Sequence, residues 1–244
     1  MENTERMTMG KIWAVCSGSG GVGKSMIALS LAAGAAKAGR RVILLDTSGV
    51  SRCCDLILRL ESVITLDMLD VVRNQVSMES ALYPVAQYPG LRLACASLYD
   101  DVSVSELSGM TLSLNALCDI LVVDLPTGQA SLGRGVMRAG DERLLVTRPD
   151  DASIRATERL MTRCAGEPAA DSLVINRIST ERVRKKTQYA QSIVESLLDR
   201  AALACIPEDA SIPASEQRGR AAIECDGPAW TALSGLVKTL LGGA

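Results

Sequence analysis

Short apolar runs alternate along this chain with longer stretches of helical periodicity. The first run, KIWAVC (11–16), is apolar without a break after its lysine and stops at a glycine-rich segment, as a strand buried on both faces does. KSMIALSLAAGAAKAG (24–39) follows, rich in Ala and Leu and closed by Gly39, which predicts a helix. Further strands are predicted at RVILLD (41–46), LRLACA (91–96), DILVVDLP (119–126), RLLVTRP (143–149), DSLVINR (171–177) and LACIP (203–207). Helices are predicted over 65–72, 109–117, 150–164 and 187–199, with loops at 73–90 and 97–108. Alternation of this kind predicts an α/β fold, a three-layer doubly wound and mostly parallel sheet with helices on both faces. The polar residues 1–10 read as a disordered tail. With no repeat, low-complexity tract or linker, residues 11–244 read as one domain. Near the C-terminus Leu233, Leu236, Val237, Leu240 and Leu241 form a stripe at helical spacing with Lys238 as its single cation. That face predicts core packing, because an interfacial helix wants a polar side rich in Lys and Arg.

Composition narrows the chemistry. The 244 residues carry 22 % charged side chains and a net charge of −2, so no global basic field recruits nucleic acid, which is not expected as a partner. Phe and His are both absent. Imidazole is thereby excluded as a general base, along with Ser-His-Asp arrangements and His-bearing zinc sites. The eight cysteines, at 16, 53, 54, 95, 118, 164, 205 and 225, include no C-x-x-C spacing and read as buried reduced thiols of a cytosolic protein. Adjacent Cys53 and Cys54 fit either core packing or a metal or redox role. The first ten residues are polar and acidic, unlike a secretory leader, and no apolar run approaches the ~18 residues of a membrane span. These features predict a cytoplasmic protein.

The glycine-rich segment carries the chemistry. SGSGGVGKS (17–25) contains G-x-x-x-x-G-K-[ST], with Gly18, Gly23, Lys24 and Ser25 at the fixed positions and a strand before and a helix after it. In such a P-loop, backbone N–H groups cradle phosphate oxygens, the lysine reaches the β and γ phosphates and the hydroxyl holds Mg²⁺. Gly18, Ser19, Gly20, Gly21, Val22, Gly23, Lys24, Ser25 and Met26 are therefore the predicted phosphate cradle. Ligands of open parallel sheets bind at the carboxyl ends of strands, and Asp46 and Asp124 end two of them. Ser25, Asp46 and Asp124 are the predicted metal-site residues; Lys24, Asp46 and Asp124 are the predicted catalytic ones. Pro126 and Gly128 in DLPTG (124–128) suit a loop that changes shape with the γ-phosphate.

Six ordered segments, SGSGGVGKS, LLDTSGVSRCCDLIL, VVDLPTG, VTRPDDASIRATERL, INR and IPEDASIPASEQRG, resemble the MinD/ParA family of deviant Walker A ATPases, and its septum site-determining MinD branch most of all. The resemblance implies ATP and Mg²⁺ as cofactors, a nucleotide-dependent homodimer, and a role in placing cell-division, chromosome or surface machinery. It also implies that Asn176 reads the adenine edge while Pro207 and Asp209 line the ring. Three departures stand out. The family's signature lysine is Ser19, and the second acid of its first switch, D-x-D, is Ser48. Groups of this kind are each worth up to about 10³–10⁵ in rate, so binding is expected to survive with weak turnover or none. Arg52 or Arg148 could supply the missing charge; both also read as ordinary solvated arginines. MinD members end in a basic amphipathic helix that lies on membrane, and this chain stops about where that would begin. Direct membrane binding is therefore not expected, and any recruitment to the inner membrane face falls to a partner.

The leading expectation is an ATP-binding dimerisation and positioning switch. Two alternatives stand beside it: an active ATPase whose catalytic groups come from elsewhere, and a non-hydrolysing scaffold that localises a pilus or secretion assembly.

Overall fold

The computed structural model describes residues 9–48, 53–96, 103–132 and 136–242. Most of the predicted N-terminal tail, residues 1–8, lies outside them, as does Arg52.

Among these residues eight strands form one sheet: β1 (Lys11–Cys16), β2 (Val42–Asp46), β3 (Tyr83–Pro84), β4 (Leu91–Cys95), β5 (Ile120–Asp124), β6 (Glu142–Thr147), β7 (Ala170–Ile178) and β8 (Ala202–Pro207). Their order is β3-β4-β2-β5-β1-β6-β7-β8, parallel throughout except where the two-residue β3 runs against β4. The predicted mostly parallel, doubly wound sheet is thus observed. The order places the glycine loop, which leaves β1, between the ends of β5 and β6. Ligands of open parallel sheets bind at such strand ends.

Side chains along a strand alternate between faces, and the two helical layers follow from that. Trp13 and Val15 of β1 face one layer, with α1 (Lys24–Lys37) and α9 (Ala229–Leu240); Ile12, Ala14 and Cys16 face the other, with α4 (Val104–Asn115) and α5 (Asp151–Cys164). Because α1 is sandwiched between the sheet and α9, its alanines are buried on nearly every side. The C-terminal stripe is core: Leu233, Leu236, Val237 and Leu240 are buried and Leu241 packs against them. No helix among the described residues is long and apolar enough to cross a membrane. None of the eight cysteines, all among the described residues, is in a disulfide.

The helices differ from the sequence reading in three ways. The helix predicted at 109–117 starts at Val104, because Ser103 and Glu106 form a reciprocal capping box that begins it inside the predicted loop. Among the described residues, five short helices escape the pattern because they are too short to show a period: α2 (Cys53–Leu58), α6 (Thr180–Arg184), α8 (Ile212–Gln217) and 3₁₀ turns at Met78–Ala81 and Ala222–Glu224. The two other predicted helices are shorter than expected, as α3 (Met68–Val72) and α7 (Gln191–Leu198).

Candidate functional site

The glycine loop turns directly out of β1 into α1. Gly23 adopts φ +92°, a left-handed conformation that L side chains resist, and a Cβ there would meet the Asn176 amide nitrogen at 2.3 Å. A Cβ on Gly18 would meet the Ala156 carbonyl oxygen at 2.2 Å, so glycine lets the loop lie against α5. Gly20 and Gly21 form its exposed tip.

Asp46 and Asp124 are register partners on the adjoining strands β2 and β5, so their carboxylates emerge side by side, both fully buried. Lys24 closes on this pair, its Nζ 2.9 Å from Asp124 Oδ1. Burial lifts the Asp124 carboxyl above its ordinary value; the Lys24 charge pulls it back and the Asp46 charge pushes it further up. The neighbouring Ser25 hydroxyl also draws the carboxyl down, and Asp124 Oδ2 is buried without a hydrogen-bond partner. Asp46 is fully engaged, since Oδ1 accepts from the backbone and hydroxyl of Ser48 at 2.9 and 2.6 Å and Oδ2 from the Cys54 backbone. Burial, and then these two carboxylates, push the Cys54 thiol well above its ordinary pKa.

The two serines at the departures are built into the fold. Ser19 donates to the Ser153 hydroxyl at 3.3 Å, Ser153 donates to Asp150, and Arg148 pairs with that same Asp150 at 3.0 Å. Arg148 is thereby held in a half-exposed ion pair. The second-switch segment is fastened to the glycine loop, because the Gly128 N–H donates to the Ser17 carbonyl.

Two cavities meet at this point. One of about 390 Å³ is lined by Ser17 and the loop from Ser19 to Met26, with Ser48, Cys53, Ile57 and Thr127; another of about 570 Å³ is lined by Asn176, Ser179, Pro207, Asp209 and Ile212. Gly23, Met26, Arg177 and Glu216 line both. Apart from Gly18, which packs against α5, the fold therefore brings the predicted phosphate-side and base-side residues to one continuous cleft, with Asp46 and Asp124 buried at its floor. A further cavity of about 470 Å³, between Pro149 and Ile193, includes none of them.

Geometry gives two of the base-side residues structural work. The Asn176 amide nitrogen donates to the Val22 carbonyl at 2.7 Å and its oxygen accepts from the Arg177 backbone, which fixes the glycine loop from behind. Asp209 accepts from the Ser211 backbone and hydroxyl through Oδ1, and from the Ala229 N–H that opens α9 through Oδ2. Sequence reasoning missed Arg177 and Glu216. Their signal lay in INR (175–177), where the arginine adjoins the chosen asparagine, and in the helical ASEQ (214–217).

The profile of the CobQ/CobB/MinD/ParA nucleotide binding domain matches residues 13–223. The chain belongs to this family. Among curated relatives it is 27 % identical over 215 residues to the septum site-determining protein MinD of Synechocystis, covering 86 % of this chain and 81 % of the relative. It is 27 % identical over 245 residues to MinD of Helicobacter pylori, covering 96 % and 91 %. A chain of the MinC:MinD cell division protein complex of Aquifex aeolicus superposes with a TM-score of 0.86 at 25 % identity, covering 96 % of this chain and 97 % of that one. MinD of Pyrococcus horikoshii, solved with Mg-ADP, shares the fold with a TM-score of 0.79 at 22 % identity, covering 96 % and 98 %. The protein is thus a MinD-like member of the CobQ/CobB/MinD/ParA family, with Ser19 and Ser48 at the two departures.

Proposed function

We propose that this protein binds ATP with Mg²⁺ in the cleft at the glycine loop and acts as an occupancy switch, with hydrolysis slow or lost. The observation that carries the reading is the buried Lys24–Asp124 pair at the mouth of the loop, beside a second Asp124 oxygen that has no partner. An orphaned buried carboxylate oxygen next to a serine hydroxyl fits a hydrated Mg²⁺, which keeps several waters and takes few protein ligands. Bound there, Mg²⁺ would neutralise phosphate charge. Lys24 has two partners to choose between, Asp124 when the loop is empty and a phosphate when it is filled. That exchange changes the environment of β5, whose end leads within four residues to the Gly128–Ser17 tether. The segment Leu125–Gly128 is then the two-state element that reports occupancy.

The charges that would speed hydrolysis are replaced by hydroxyls already satisfied within the chain, Ser19 by Ser153 and Ser48 by Asp46. Neither can reach far or carry charge. An aspartate at position 48 would orient the attacking water, and a lysine at 19 would spread charge over the transition state; the chain keeps only the binding parts. By analogy with the MinD relatives, the output is nucleotide-dependent homodimerisation in the cytoplasm. The dimer would dock a protein partner that places cell-division or surface machinery and recruits it to the inner membrane face.

The test is equilibrium binding of ATP with Mg²⁺, alongside light scattering for mass. The reading expects saturable binding, at least tenfold weaker in Lys24→Ala, and a mass that doubles with ATP. No binding by the native protein would leave the scaffold reading in its place.

A further inference from the structure

Resting on the ATP-binding reading above, we infer that Glu216 reads the sugar of the nucleotide, accepting hydrogen bonds from the ribose 2′ and 3′ hydroxyls and so favouring a ribonucleotide over its 2′-deoxy counterpart. Gly23, Met26, Arg177 and Glu216 line both the phosphate-side and the base-side cavity and so mark the seam between them. In a nucleoside triphosphate the ribose joins base to phosphates. With phosphates on the glycine loop and the ring beside Pro207, the sugar crosses this seam. Ribose hydroxyls carry protons to donate and need acceptors. At the seam Gly23 has no side chain, Met26 offers a weak thioether acceptor, and the Arg177 guanidinium only donates. Glu216 supplies the strong acceptor, and its two oxygens can take both hydroxyls at once. A carboxylate has the same task on the ribose of dinucleotide-binding folds.

The other acids that line the base-side cavity are engaged. Asp209 accepts from Ser211 and the Ala229 N–H, and Glu208 pairs with Arg182 at 3.1 Å. The half-buried Glu216 carboxylate, by contrast, makes no hydrogen bond or ion pair with any described residue. Burial raises its pKa and the Arg177 charge pulls it back, so a donor supplied by a ligand would further favour the ionised form. Both sides of the seam are held in place. Glu216 lies in α8, where its carbonyl accepts from the Gly219 N–H at 2.9 Å and the adjoining Ser215 hydroxyl donates to the Ala221 carbonyl at 3.3 Å. Across from α8 in sequence and fold, Arg177 of β7 keeps φ +58°, a left-handed backbone uncommon outside glycine. Two bonds hold it there: its N–H donates to Asn176 Oδ1 and its carbonyl accepts from the Gln188 amide.

The experiment measures by calorimetry, with Mg²⁺ present, the affinities of ATP and 2′-deoxy-ATP for the native protein and for Glu216→Ala, and takes the ratio of the two within each protein. A hydrogen bond to a charged acceptor predicts that the native protein prefers ATP by about tenfold or more. In Glu216→Ala that ratio should fall to about one. Glu216→Gln keeps the shape but offers a neutral acceptor, so its ratio should lie between the two; it decides the matter if circular dichroism shows Glu216→Ala unfolded. Equal native affinities for the two nucleotides, or a preference for ATP that neither variant reduces, would overturn the assignment while leaving the ATP-binding reading intact. Failure of the native protein to bind either nucleotide would overturn both.

Discussion

Replacing Asp209 with alanine separates two roles for the same carboxylate. Family resemblance places this residue beside the adenine ring, whereas its hydrogen bonds make it a clamp between the β8–α8 turn and the start of α9. Helix α9 has no side-chain cap of its own, because its N-cap residue is Pro228, so Asp209 serves as a cap from a distance of 20 residues. Losing a capping oxygen costs about 1 kcal/mol, losing a negative charge from a helix N-terminus about 0.3–1, and the half-exposed Ser211 contacts a few tenths more. Asp209→Ala should therefore destabilise the nucleotide-free protein by about 2 kcal/mol, or lower Tm by about 4–8 °C for a chain of this size. Urea and thermal unfolding measure it. The pH dependence has a definite sign. Burial pushes this carboxyl up, but hydrogen bonds from Ser211, Ala229 and Cys225 outweigh it and leave the folded value below the ordinary 3.8. A depressed folded value gives a contribution present above about pH 3.8 and lost as pH falls through the folded value, so the difference between native and variant should be flat near neutrality and shrink in strong acid. The clamp is refuted if Asp209→Ala unfolds within about 0.5 kcal/mol of native yet binds ATP more than tenfold more weakly.

Other perturbations follow from the same geometry. Tyr88→Phe leaves the Ala221 N–H without the hydroxyl it donates to at 2.8 Å, and should cost about 1–3 kcal/mol in urea unfolding with ATP affinity unchanged. Gly23→Ala forces a left-handed residue against the Asn176 amide, and should cost about 1–3 kcal/mol and abolish measurable ATP binding by calorimetry. Lys24→Ala leaves the buried Asp124 unpaired and should destabilise the nucleotide-free protein by about 3 kcal/mol near neutrality. Because burial already raises Asp124, its contribution is complete below the unfolded value and is lost as pH rises through the folded one; removing Lys24 raises that folded value further, so the deficit should narrow in mild acid. Equal deficits in mild acid and at neutrality would contradict this.

How far the sequence was legible depends on the range of the physics involved. Strand β1 and the glycine loop were visible because continuous apolarity and the G-x-x-x-x-G-K-[ST] spacing are local signals, and the acids Asp46 and Asp124 because a strand end is a local position. The 3.6-residue period needs several turns to register, so α2, α6 and α8 went unseen. The Cys53–Cys54 pair was noted, but that the Cys54 thiol lies beside two carboxylates depends on how α2 docks over β2 and β5. Asn176 and Asp209 were picked out by resemblance, but their bonds to Val22 and Ala229 span 154 and 20 residues and exist only after folding. Arg177 illustrates the reverse case: it stood in a quoted motif, and its importance emerged only when two cavities were seen to share it.

Steady-state ATP turnover with Mg²⁺, measured on the native protein, Lys24→Ala and the double variant Ser19→Lys with Ser48→Asp, with nucleotide binding followed on the same samples, tests the central claim most directly. The account predicts that the native protein binds ATP through Lys24 but turns it over slowly or not at all, and that the double variant gains turnover. Hydrolysis by the native protein at the rate of the double variant would contradict it.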